Sequence, residues 1–309
     1  MAENKAIQEA EDIDYESLGG GSLTSNLLAG AFAGIMEHTV MYPIDAIKTR
    51  MQIINPSPSA LYNGIAHAAG QISSTEGIRS LWRGIGSVVL GAGPAHAVYF
   101  ATYEAVKHEL GGNDHEHNPL ATAAAGASAT IASDALMNPF DVIKQRMQVH
   151  GSTYTSISDC AKTVFKNEGL SAFYVSYPTT LVMTVPFTAI QFSAYDSLSK
   201  VLNPQRGYDP LSHCVAGGLA GAGAAALTTP LDVIKTLLQT RGTSRDETIR
   251  NCKGLADAAK IIHEREGMKG FFRGLQPRVV TTMPSTAICW TAYEMAKFYF
   301  NKGNSGEVA

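Results

Sequence analysis

The residues able to do chemistry in this chain are charges set inside apolar sequence. Pro43-Ile-Asp45-Ala-Ile-Lys48 recurs as Pro139-Phe-Asp141-Val-Ile-Lys144 and again as Pro230-Leu-Asp232-Val-Ile-Lys235. A carboxylate or ammonium inside an apolar helix costs roughly 2.5–3.5 kcal/mol on membrane-insertion scales, so these six groups need partners. Each Asp could pair with the Lys three residues on, or the threefold recurrence could form a ring in which each Asp meets the Lys of a neighbouring copy. Ion pairs of this kind open and close; they do not make or break covalent bonds. The sequence holds no nucleophile–base pair and no phosphate-binding glycine loop, so neither an enzyme nor a bound cofactor is expected.

A second set of groups sits in register with the first. Residues seven apart on a helix lie two turns apart on nearly one face. Counting back seven from the three aspartates gives His38, Asp134 and Ala225. His96 precedes Lys107 by eleven residues, about three turns, on the same face. Imidazole and carboxylate suit first-row divalent metals. His115 and His117, in Asn-Asp-His-Glu-His, read as a solvated loop.

The elements that position these groups follow from the repeat. Pro43, Pro139 and Pro230 stand 96 and then 91 residues apart. Glu76-Gly77…Trp82-Arg83-Gly84 follows the first, Glu168-Gly169…Tyr174 the second, and Glu266-Gly267…Phe272-Arg273-Gly274 the third. Tyr103-Glu104-x-x-Lys107, Tyr195-Asp196 and Tyr293-Glu294-x-x-Lys297 close the units. Three signals in one order, three times over, define repeats at 22–112, 113–206 and 207–301, with tails at 1–21 and 302–309. In each, an apolar run rich in Ala and Gly (Leu27–Tyr42, Ala121–Asn138, Cys214–Thr229) precedes the Pro-x-Asp string. Small residues four apart let helices approach closely in lipid. The second long helices, Ile85–His108, Ser176–Leu202 and Leu275–Asn301, each carry a central proline, Pro94, Pro186 or Pro284, which bends a helix. Ile65–Ser74, Ile157–Lys166 and Leu255–Arg265 read as amphipathic surface helices. The fold expected is all-α and membrane-embedded: six transmembrane helices in a threefold pseudosymmetric barrel with three short surface helices.

Composition agrees once its averages are unpacked. Charged residues make up 17% of the 309, below the roughly 25% of soluble chains. The net charge of −3 gives no support to nucleic-acid binding. Residues 1–20 hold six acids against Lys5, which leaves 21 acids and 23 bases elsewhere; this tail is neither a secretory signal nor an Arg-rich transit peptide. Cys160, Cys214, Cys252 and Cys289 form no CxxC pair, so they read as free thiols.

The tripled Pro-x-Asp-x-x-Lys string, followed by Glu-Gly and aromatic-Arg-Gly, resembles the mitochondrial carrier family over about residues 22–300. The resemblance implies the pairs Asp45–Lys144, Asp141–Lys235 and Asp232–Lys48 as a gate at the matrix end, braced by Gln52, Gln148 and Gln239. It implies a cytoplasmic gate of Lys107 with Asp196 and Lys297 with Glu104, while Glu294 faces Ser199 where a base is expected. Two further departures stand out: Leu237 replaces the second base of repeat three, and Val175-Ser176 replaces Arg-Gly. Substrate contacts fall at Gly91, Met183 and Thr281, with Thr184 and Thr282 beside them. The lack of Lys or Arg there argues against a large anionic substrate. Glu37-His38-x-x-Met-Tyr-Pro, Met137-Asn138-Pro and Gly-Pro94-Ala-His96 resemble the mitoferrin branch of the family, and His213 matches it too. That resemblance implies iron import, with Fe(II) as substrate and His38, His96, Asp134, Met183 and His213 as metal donors. It also implies a monomer in inner-membrane lipid, both termini toward the intermembrane space. A carrier of a neutral or cationic organic cofactor, such as an adenosyl compound, is the alternative.

Overall fold

The computed structural model describes residues 23–54, 61–110, 119–202, 210–281 and 284–285. Both tails, the loop holding His115 and His117, and the positions Thr282, Glu294 and Lys297 lie outside these residues. The described elements are helical throughout. Helices α1 (Leu23–Gln52), α4 (Pro119–Gln148) and α7 (Pro210–Thr240) carry the Pro-x-Asp strings. Helices α3 (Ile85–Glu109) and α6 (Tyr177–Leu202) are the second long helices of repeats one and two, and residues 275–281 begin that of repeat three.

The first long helices run straight through their prolines instead of ending there, reaching 30, 30 and 31 residues. At 1.5 Å per residue that is about 45 Å, enough to cross a bilayer and its headgroups. Around the helices large apolar side chains face outward, and several polar and charged ones are buried. Val185 is 70% exposed, Phe192 71% and Leu227 69%, while Arg50, Arg146, Asn138, Thr229 and Asp232 are buried. So many large apolar side chains facing outward suit a lipid surround.

Helix α3 packs along α4, and α6 along α7. Gly91 makes the first contact possible: a Cβ there would lie 2.7 Å from the Phe140 ring and 2.8 Å from Met137 Sδ.

The surface helices α2 (Ile65–Glu76), α5 (Ile157–Glu168) and α9 (Leu255–Gly270) bury one stripe each: Ala68 and Ile72, Cys160 and Val164, and Ala258, Ile261 and Ile262. Their partners lie at the ends of the long helices. Ile72 packs with Ile47 and Leu81, Val164 with Val142 and Phe173, and Ile262 with Val233 and Leu237. Three small apolar clusters, one per repeat, thus hold the ends of α1, α4 and α7 where the charged strings emerge. The surface helices, the three clusters and the charged strings lie in one compact unit, residues 39–284.

Candidate functional site

The six charges of the Pro-x-Asp strings pair between repeats. Lys144 Nζ lies 2.5 Å from Asp45 Oδ2, Lys48 Nζ 2.9 Å from Asp232 Oδ2, and Lys235 Nζ 3.5 Å from Asp141 Oδ2. Each lysine comes from the repeat after its aspartate in cyclic order, so the three pairs join all three repeats. A side-chain pair about 4 Å apart attracts by roughly 4 kcal/mol at the effective dielectric of a protein interior, before lost hydration is subtracted. The Tyr42 ring adds a face to the Lys144 ammonium, 5.5 Å from its centroid.

The corners are unequal. Asp232 receives Gln52 Nε2 at 2.7 Å and the Arg278 guanidinium at 2.5 Å as well as Lys48. Gln52 is itself held by a 2.9 Å bond from Thr236 Oγ1. The other two glutamines do not reach the ring. Gln148 accepts from Thr49 Oγ1 at 2.9 Å, and neither amide atom of the buried Gln239 has a hydrogen-bond partner. For Gln239 the reason is local: Thr49 and Thr236 supply hydroxyls to the glutamine they face, whereas repeat two has Gln145 at that place, with its own Oε1 unbonded. In this state the glutamine brace is made at the Asp232 corner.

Arg278 is the residue that sequence reasoning missed. Only positions three before the prolines were considered, and this arginine stands one turn earlier, in Gln276-Pro277-Arg278. It is buried, donates to Thr228 Oγ1 at 2.8 Å, and lies 3.8 Å from Met183 Sδ. Met183 thus touches a guanidinium, an unsuitable neighbour for a thioether that is to bind a metal cation. In this state the sulfur is a packing partner of Arg278. Gly91 is likewise occupied, being buried against α4. Thr184 and Thr281 donate back to the carbonyls of Thr180 and Pro277 in their own helices.

Of the remaining metal donors, Asp134 is half-buried on α4, and its charge is felt by Lys235 and Asp141. His96 is exposed on α3. The side chains of His38 and His213 lie outside the described residues. No cluster of three or more His, Cys, Asp or Glu occurs among the described residues. Among the described residues of the second gate, Lys107 sits over the Tyr103 ring at 5.7 Å, while Asp196 is bound by Lys200 of its own helix at 2.6 Å. Glu104 is exposed.

Behind the ring, two arginines clamp successive repeats. Arg50 makes a two-pronged pair with Glu76, at 2.7 and 2.8 Å, and its Nε donates to Gln148 O at 2.8 Å. Arg146 does the same with Glu168 and with Gln239 O at 3.0 Å. His150 adds Nδ1 to Glu76 at 2.5 Å. Burial alone would raise the Glu76 pKa; the Arg50 and His150 contacts outweigh it and hold the carboxyl below its ordinary value. The Val175-Ser176 departure is accommodated by the buried Ser176 hydroxyl, which donates to Asn138 Oδ1 at 3.2 Å.

A threefold sequence repeat, long helices with apolar side chains facing outward and a closed ring of inter-repeat ion pairs define a membrane transporter rather than an enzyme. The chain belongs to the mitochondrial carrier family, whose profile, described as mitochondrial carrier protein, matches residues 20–114, 115–206 and 207–304. An uncharacterized mitochondrial carrier of Schizosaccharomyces pombe is 55% identical over 289 residues, covering 93% of this chain and 95% of that one. Mitochondrial RNA-splicing protein MRS4 of Saccharomyces cerevisiae is 52% identical, covering 95% and 97%. Human Mitoferrin-1 is 46% identical, covering 94% and 87%.

Proposed function

We propose that the chain imports Fe(II) into the mitochondrial matrix by alternating access. The observation that carries this reading is its likeness to mitoferrins along nearly its whole length, 46% with Mitoferrin-1 and 47% with Mitoferrin-2 of human. The charge pattern supports it. The three substrate-contact positions carry no cation of their own, and the guanidinium beside Met183 is neutralised by Asp232, while His38, Asp134 and His96 offer imidazole and carboxylate in register with the ring. His213 completes the candidate donor set.

The ring of Asp45–Lys144, Asp141–Lys235 and Asp232–Lys48 serves as the matrix gate. The pairs Lys107–Asp196 and Lys297–Glu104 form the opposite gate when that side closes. With the first ring paired and Lys107 away from Asp196, the chain is in the state that receives substrate from the intermembrane space. Both termini face that space, and the transporting unit is a monomer in inner-membrane lipid. Substrate that binds best in the occluded intermediate offsets the cost of parting the ring pairs, which biases a bistable element. A direct role on RNA, raised by the name of one relative, finds no support in a net charge of −3.

The test is uptake of Fe(II) by liposomes containing purified protein, with Mn(II), Cu(I) and Zn(II) as competitors. Saturable Fe(II) uptake supports the reading. Its absence with folded protein overturns it in favour of an organic cofactor substrate.

A further inference from the structure

At two junctions between repeats, the clamp behind the ring comes from the base two residues after the ring lysine: Arg50 joins repeat one to two, and Arg146 joins repeat two to three. Repeat three has Leu237 at that place. This side chain is buried at 2% exposure among Ile54, Val233, Ile249 and Ile261, where it makes no polar contact. The junction from repeat three back to repeat one is nevertheless polar. Arg273, from the turn after α9, pairs with Glu266 through Nη1 and donates Nε to Met51 O at 3.2 Å. Both halves of the missing clamp are present, a guanidinium on the repeat's own Glu and an Nε on the last turn of the next repeat's first helix.

The comparison with repeat one shows that this use of the arginine is specific. Arg83 occupies the corresponding position there and donates Nη2 to Tyr154 O at 2.7 Å; Glu76 is already taken by Arg50. Gly274 completes the arrangement. It has φ of +69°, and a Cβ there would lie 2.7 Å from Gln52 Cγ and 3.5 Å from Lys48 O. The Arg273-Gly274 pair thus grips the last turn of α1 from two sides. The side chain it presses on is Gln52, which alone among the three ring glutamines contacts a ring aspartate, Asp232 at 2.7 Å.

We propose that Arg273 is the surrogate for the base lost at Leu237 and a positioning residue for the gate: with Gly274 it sets Gln52 on Asp232. This deepens the carrier reading, and only its kinetic readout rests on that reading. The experiment is a double-mutant cycle on the full chain, purified in detergent and reconstituted, comprising wild type, Arg273→Gln, Gln52→Ala and both together. Arg83→Gln replaces Arg273→Gln in a control cycle. Melting temperature is read on all of them. Arg273→Gln and Gln52→Ala each lower it by a few degrees, and the double variant melts no lower than the worse single one, whereas Arg83→Gln adds in full to Gln52→Ala. Additive losses for residues 273 and 52 overturn the proposal. Should Arg273→Gln fail to fold, Arg273→Lys takes its place in the same cycle, because an ammonium cannot serve Glu266 and Met51 O together in the same fork. The second readout is Fe(II) uptake: the maximal rate falls at least threefold with KM unchanged, and a change confined to KM overturns the positioning role. Lack of uptake by wild type would count against the iron reading, while the melting cycle still judges the clamp.

Discussion

Arg278 Nη1 lies 2.5 Å from Asp232 Oδ2, the same oxygen that Lys48 approaches at 2.9 Å. One buried carboxylate thus answers two cations from different repeats, while Asp141 holds Lys235 at 3.5 Å and, among the described residues, no second cation. The repeat-one and repeat-two counterparts of Arg278 are Val88 and Thr180, so the asymmetry is built into the sequence.

Asp232→Asn therefore leaves two buried cations without a carboxylate, and breaking a buried pair from one side costs about 3–5 kcal/mol. Asp141→Asn releases one ammonium from a longer contact and costs less. Thermal unfolding in detergent should rank Asp232→Asn below Asp141→Asn, with wild type highest. Equal losses would show that Arg278 contributes nothing to the corner.

Pairing between repeats predicts a charge-reversal rescue. Asp141→Lys and Lys235→Asp singly place like charges face to face and should each abolish transport. Together they restore opposite charges at the same junction, and uptake should rise well above either single variant. If the double variant is as inactive as the singles, Asp141 and Lys235 do not act as a pair in the transport cycle.

Outside the membrane-spanning segments, Glu76 links stability to pH. Its carboxyl is held below its ordinary value, because the Arg50 and His150 contacts overcome the effect of burial. A depressed carboxylate contributes stability that is fully present above the unfolded pKa of roughly 4.3 and is lost as pH falls through the folded value. The melting-temperature gap between wild type and Glu76→Gln should thus be widest near pH 7 and narrow as acid is added below pH 5. A gap constant from pH 7 to 4 would contradict the pairing.

Burial pushes the Cys160 thiol up to about 12. Since the thiolate is the reactive form, Cys160 should resist a maleimide at pH 8 in folded protein and label readily once denatured. Cys160→Ser would bury a hydroxyl in the apolar cluster around Val164 and cost about 1–3 kcal/mol.

Much of this organisation was legible because it is written three times. The repeated strings located the helices and, through the family resemblance, the ring partners; the surface helices appear where amphipathic spacing placed them, extended by two to five residues. What escaped was the individuality of each copy. A threefold argument gives Gln239 the surroundings of Gln52, but one Thr-to-Gln change at position 145 removes the hydroxyl that would hold it, while Gln148 keeps its Thr49 bond and stays off the ring. Leu237 reads as a lost base until the fold brings Arg273 to the same junction from 36 residues away. Arg278 stands one turn from the repeated contact positions, at a place where the other two repeats carry Val88 and Thr180, so no repeat signal marks it.

The central claim is that this chain carries Fe(II) with a cavity imidazole among its ligands, and it is tested most directly by Fe(II) uptake into liposomes for wild type and His38→Ala side by side. The account predicts saturable uptake by wild type and its near-complete loss in the variant, at equal melting temperature and equal reconstitution. Undiminished uptake by His38→Ala would contradict the assignment of that imidazole, and absence of uptake by folded wild type would contradict iron as the substrate.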